Sequence, residues 1–466
     1  MSDAPSSHTL ARSALALIVL ALLAAASMAA IPRRAAAGEI VHGPAKRSER
    51  LPNGLEVLVL PEPGRDVAAV IMFYRVGARD EEPGTSGYAH LFEHLMYSGT
   101  AAVPDWHAAL ATLGGKTRSA TAPDWTAFAS DVPRTATARV IALEADRMQG
   151  LTIDRAAVAR AMADIRNEDA ARSAAPLGAA DLADLLRPLA FPGHPYAREQ
   201  KPRTMDATDL DRCRSFYARH FGPDRAVLVV AGGVDPDSVV AAARAACGPL
   251  APTGAPRSPL PPLPSLPPPT ERRRLETRPG PPVIAAAYRV PQLGEPDFPA
   301  AKLVHALLSD AAAPILAAAV RDGGPAATWI GTDLDEATGL LTVAARLDPG
   351  TAPAPALDRL MAAVPLVIEA GDPQVIATTR DRLRLTEAAL AGTVGGRAAA
   401  AARSYLAAGA EVAAGAEVTA GTEFATLDAA DSTRFAGEHL RPDQAVSLIL
   451  APDSSAGATD LDKDTP

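Results

Sequence analysis

Cysteine is nearly absent from this 466-residue chain: only Cys213 and Cys247 occur. Two thiols exclude a scaffold built on disulfides, and their spacing excludes them as a zinc-binding set. Both fall in helix-like segments, where they either pair as one disulfide in an oxidising compartment or stay apart as buried thiols. Basic clusters are equally scarce. The formal net charge is -9, and Arg272-Arg273-Arg274 reads as a solvated face, so nucleic acid is not an expected partner. Beyond the N-terminus, no apolar run approaches the roughly 20 residues of a membrane span.

The N-terminal run from Leu15 to Ala30 is apolar, with Arg12 before it and small residues after it. That is the pattern of an export signal, here residues 1–37. Ala35-Ala36-Ala37 before Gly38 offers one cleavage site and Ser27-Met28-Ala29 another, so the mature chain is expected to start between Ala30 and Gly38. Arg33 and Arg34 keep a second reading open, an uncleaved membrane anchor. The expected location is the periplasm of a bacterium, or the membrane if the segment is retained. The tail, 454–466, is small, polar and acidic, the composition of a disordered segment.

What is abundant is proline, 43 in all, with ten of them between residues 249 and 269. Such a run neither propagates helix nor pairs as a central strand, so 249–275 reads as an extended linker. It divides a chain too long for one ordinary domain into parts spanning 45–248 and 276–453. The parts resemble each other. Phe216, His220, Pro223, Asp224, Ala226 and Val227 recur as Phe435, His439, Pro442, Asp443, Ala445 and Val446, at a constant offset of 219 residues. Each block leads into a strand-like run, Leu228–Ala231 and Leu448–Ala451.

The chemistry concentrates in His90-Leu91-Phe92-Glu93-His94. Two imidazoles four residues apart on a helix share one face and suit a zinc ion, and Glu93 is left to take a proton from a metal-activated water. Ser86-Gly87 marks the expected start of that helix, with Leu91, Phe92 and Leu95 as its apolar flank. Strand-like runs at Leu55–Leu60 and Val67–Val76 precede it, the first opened by an Asn53-Gly54 turn. A third ligand is offered by a helix that starts at Asp154, carries Val158, Met162 and Ile165 along one side, and continues that side with Glu168. A carboxylate on a core-facing stripe is costly unless it is paired or bound to metal.

These features resemble the insulinase/pitrilysin family of zinc metallopeptidases, whose inverted His-x-x-Glu-His motif this chain carries. The resemblance extends to Leu51-Pro52-Asn53-Gly54-Leu55, Tyr74–Glu81, Gly99-Thr100, Leu143–Met148 and Ala190–Tyr196. It implies an α+β fold of two similar α/β-sandwich halves, each an antiparallel sheet flanked by helices, joined by the linker and enclosing a substrate cavity. It further implies one zinc per chain held by His90, His94 and Glu168, the last in an Asn-Glu pair, with Glu93 as general base. Arg118, Ser119, Ala120 and Thr121 fall on the edge strand that binds a peptide by adding it to the sheet.

Departures from the family pattern bear on activity. Ala161 stands where the family carries a further Glu, and Asp164 is the candidate to supply charge behind the ligands. Arg118 replaces a usual Asn. In the second half, Ala312-Ala313-Pro314-Ile315 and Gly324–Thr328 stand where an Arg and a Tyr are expected. Those groups hold the substrate carbonyl and stabilise the oxyanion. The resemblance therefore implies the zinc-holding subunit of a heterodimer, its partner a homologous chain that carries the Arg/Tyr pair. The alternative is a non-catalytic relative kept for assembly or substrate holding.

Overall fold

A computed structural model describes residues 46–174, 177–198, 209–278, 280–320, 329–408 and 421–452. The expected export segment and the tail lie outside these residues. Asn53-Gly54 makes the expected turn between β1 (Arg47–Arg50) and β2 (Glu56–Pro61), with Gly54 at φ +92°. There follow β3 (Val67–Tyr74), α1 (Tyr88–Leu95), α2 (Trp106–Thr112), the hairpin β4 (Lys116–Thr121) and β5 (Thr126–Pro133), α3 (Thr137–Gly150) and α4 (Arg155–Ala174). Then come α5 (Ala179–Ala190), α6 (Leu210–His220), β6 (Ala226–Gly232) and α7 (Pro236–Cys247). The first sheet has the order β1-β2-β6-β3-β5-β4.

The later elements repeat the scheme. They are β7 (Arg273–Arg278), β8 (Val283–Arg289), α8 (Phe298–Ser309), α9 (Ala313–Ala319), β9 (Trp329–Asp335) and β10 (Leu340–Arg346). After them come α10 (Pro353–Glu369), α11 (Pro373–Ala391), α12 (Val394–Ala408), α13 (Ala429–His439) and β11 (Val446–Pro452). The second sheet runs β7-β11-β8-β10-β9. The 219-residue repeat is structural: α6 and β6 in one sheet correspond to α13 and β11 in the other. Even the ring contact recurs, with Phe216 and His220 centroids 4.5 Å apart and Phe435 and His439 4.7 Å apart.

Two expectations need correction. The sheets are mixed rather than antiparallel, because β2 pairs parallel with β6 and β7 with β11. In each case the late strand enters from a helix and inserts between two earlier strands, antiparallel to the later of them (β3 or β8) and parallel to the earlier (β2 or β7). The compact units also do not follow the linear division into 45–248 and 276–453. One comprises residues up to Pro176, Arg198–Leu260 and Thr386–Ala420, and the other takes Leu177–Ala197, Pro261–Leu385 and the chain from Gly421. Amphipathic α5, with Leu182 and Leu186 fully buried, packs on the second sheet. The alanine face of α12 (Ala398, Ala399, Ala401 and Ala402) lies over β3 and β6 of the first. Burial of an apolar face drives both placements, and nothing local says which sheet receives it.

The first sheet is covered on both faces. α12 takes one face, and the other builds the larger core with α1, α3, α4, α6 and α7. Cys213 and Cys247 are buried in it as free thiols, which decides between the two alternatives. Within that core Glu144 and Arg147, three residues apart on α3, are completely buried and paired at 2.6 and 2.9 Å. The Arg147 guanidinium sits 4.3 and 4.2 Å from the ring centres of Trp106 and Phe128. Deleting one charge strands the other. Glu144→Gln or Arg147→Met should cost about 3–5 kcal/mol in denaturant unfolding, and a Glu144→Leu/Arg147→Met double variant should recover most of it. A single-variant loss under about 1 kcal/mol would contradict this account.

Candidate metal centre

The metal motif lies on α1, whose Leu91, Phe92 and Leu95 are fully buried as expected. Phe92 stacks on Phe216 at 5.5 Å and tilts against Phe221 at 5.3 Å, which anchors the helix to α6. The start of the helix differs from expectation. Gly87 occupies the N-cap position at φ +81°, a conformation suited to glycine, and neither it nor Ser86 supplies a side-chain cap. The first amides go instead to Glu81, a residue of the family-like run to which no role was assigned.

α4 brings in the third group. Asp154 caps it through the Ala157 amide at 2.7 Å, while Ala157, Val158, Ala161 and Ile165 face the core. Glu168 follows on the same side and meets both imidazoles. His90 Nε2 and His94 Nε2 are 3.2 Å apart, and Glu168 Oε2 lies 3.3 Å from the first and 3.5 Å from the second. Tetrahedral zinc with bonds near 2.0–2.1 Å separates its ligand atoms by about 3.3–3.4 Å, so this triangle fits that ion. Two neutral imidazoles and a carboxylate are also the donor set of catalytic zinc sites.

Burial disfavours charge on His94, but the hydrogen bond to Glu168 and the negative charges of Glu93, Glu168 and Asp164 outweigh it and hold its pKa above the usual histidine value. Asp164 is exposed and acts on His94 through space. Glu93 stands outside the ligand triangle. Its Oε1 accepts a hydrogen bond from Ser119 Oγ at 2.9 Å. Tyr97, one turn past His94, has its hydroxyl 3.2 Å from Thr117 Oγ1 on the same strand. Strand alternation was the signal available for this contact, since it sends Thr117 and Ser119 to the metal side of β4 together.

The rest of the proposed substrate strand faces elsewhere. Arg118 pairs with Asp131, Ala120 is buried in the core under α12, and Thr121 Oγ1 lies 3.4 Å from Thr126 Oγ1. Of the four residues expected there, Ser119 alone reaches the centre through its side chain. β4 is nevertheless the terminal strand of its sheet. Ala161 is packed in the core at 2% exposure. Pro314 lies in the first turn of α9, and the Gly324–Thr328 stretch falls outside the described residues. A second cluster, Asp297, Glu438 and His439, is occupied by Arg434, which bonds Asp297 at 2.7 and 2.9 Å and Glu438 at 3.0 Å.

Two family descriptions match the chain: insulinase (peptidase family M16) over residues 56–199 and peptidase M16 inactive domain over residues 208–375. An uncharacterized zinc protease of Streptomyces coelicolor is 30% identical over 43% of this chain and 44% of its own length. The beta subunit of mitochondrial-processing peptidase from Blastocladiella emersonii is 26% identical over 46% of this chain and 45% of its own length. The chain thus matches less than half the length of these relatives. A protease from Helicobacter pylori has a similar structure, with TM-score 0.74 and 20% identity over 88% of this chain and 100% of that one. A peptidase M16 inactive domain from Pseudomonas fluorescens gives TM-score 0.70 and 15% identity over 88% and 98%. At these identities the structural likeness is one of fold.

Proposed function

Because this chain belongs to the insulinase (M16) family of zinc metallopeptidases, we propose that it is an exported zinc endopeptidase, or the zinc-holding subunit of one. Its substrates would be peptides or unstructured polypeptide segments. The observation that carries this reading is the triangle of His90, His94 and Glu168, with Glu93 beside it and free of it. One zinc ion held there would supply Lewis-acid polarisation of a scissile carbonyl. The chain's own residues do the rest. Glu93 takes the proton from the attacking water and returns it to the leaving amine, with one carboxylate oxygen steadied by the Ser119 hydroxyl. The terminal position of β4 supports docking of an extended peptide through main-chain hydrogen bonds.

The test is elemental analysis of the purified chain, followed by cleavage of a mixed peptide library. About one zinc per chain is expected, and His94→Ala should lose both the metal and cleavage, because a ligand triangle reduced to two donors no longer forms a catalytic site. Full zinc retention by His94→Ala would overturn the ligand assignment. Zinc without cleavage, with or without a partner chain, would favour the non-catalytic reading.

A further inference from the structure

α1 carries both histidines and the base in eight residues, too short a helix to hold its shape unaided. Its first turn is held by one side chain from outside the helix. Glu81 Oε2 accepts the Gly87 amide at 2.8 Å and Oε1 accepts the Ala89 amide at 3.0 Å. The carboxylate is 2% exposed, so it is almost wholly removed from water. Burial pushes its pKa up to about 8, against the pull of these two amides. A buried carboxylate is costly, and here the compensation comes from the amides and the positive end of the helix. Ala89, one of the two anchored residues, directly precedes His90.

We propose that Glu81 is a positioning residue of the metal centre, fixing the start of α1 so that His90 and His94 converge on Glu168. This rests on the zinc reading above. Metal–donor distances in a competent site fall within about 0.2 Å of their standard values. A first turn released from Glu81 shifts or frays by more than that, so the loss appears in metal affinity. A cap that merely stabilises the fold would lower the melting temperature and leave affinity alone.

The experiment measures zinc affinity of the full chain by competition with a chromophoric chelator, together with melting of the metal-free forms. Glu81→Gln should fold and bind zinc roughly ten- to a hundred-fold more weakly than wild type, the usual effect of losing a group that orients a ligand. The control is Asp105→Ala, which removes the cap of α2 (Asp105 Oδ1 to the Ala108 amide, 2.8 Å), a helix that bears no ligand. It should melt earlier and bind zinc like wild type. Should the Gln variant not fold, Glu81→Asp, which keeps the carboxyl group one methylene short, replaces it and is expected to weaken zinc in the same direction. Wild-type affinity in the folded Glu81 variant, or equal weakening by Asp105→Ala, would overturn the proposal. Absence of zinc binding in the wild-type chain is a different failure: it removes the zinc reading itself, and the role of Glu81 with it.

Discussion

Glu93→Gln should keep its zinc and lose hydrolysis by roughly a hundred- to ten-thousand-fold, the usual contribution of a general base. The geometry isolates that role. Glu93 lies outside the ligand triangle, so the amide removes no donor from the metal. The Ser119 hydroxyl, 2.9 Å from Oε1, donates as well to an amide oxygen as to a carboxylate, so the side chain keeps its place. Only proton acceptance is lost. Zinc content and steady-state turnover on one peptide separate these effects, and a Gln variant with near wild-type turnover would mean the proton goes elsewhere.

The second large effect concerns the oxyanion. Alone, the chain should be feeble, and adding a homologous chain that carries an Arg/Tyr pair and lacks the zinc motif should raise turnover by at least roughly a hundred-fold. Losing a single oxyanion donor costs about a hundred- to a thousand-fold. Here neither expected donor is present, because Pro314 and Ala327 have no side-chain hydrogen-bond donor. Pro314 opens α9 beside Ile315, which is 55% exposed, so the chain puts apolar surface where a guanidinium was expected. The measurement compares peptidase activity of the chain alone with that of the mixture. Vigorous turnover by a monodisperse lone chain would refute the heterodimer.

The legible parts of this protein are those in which chemistry and position lie close together in the chain. Four-residue spacing puts His90 and His94 on one helix face whatever surrounds it, and Glu168 continues the apolar stripe of its helix, where either a metal ligand or a solvated edge carboxylate would fit. The Asn53-Gly54 turn and each copy of the repeated block (Phe216 to Val227, Phe435 to Val446) are likewise local. The cap on α1 was not legible, because Glu81 is separated from Gly87 by a loop whose path no helix-capping pattern describes. Nor was the meaning of Leu143–Met148. Its residues resemble the family, but only the packed structure makes Glu144 and Arg147 a buried pair among aromatic rings.

By itself, then, the sequence picked out the candidate metal donors and their spacing, a separate candidate base, the duplicated α+β scheme and the proline-rich connection. These follow from helical and strand periodicity and from backbone restrictions, which act within a few residues. Tertiary structure alone decided that β6 and β11 insert beside parallel neighbours, and that α5 and α12 each cover the sheet of the opposite half. It also decided that the cysteines stay unpaired, that Ser119 reaches Glu93 while Arg118 turns away, and that a buried Glu81 holds the metal helix. Each is a choice among partners distant in sequence. An amphipathic helix requires a surface to cover and a buried carboxylate requires donors, and the packed chain selects which ones.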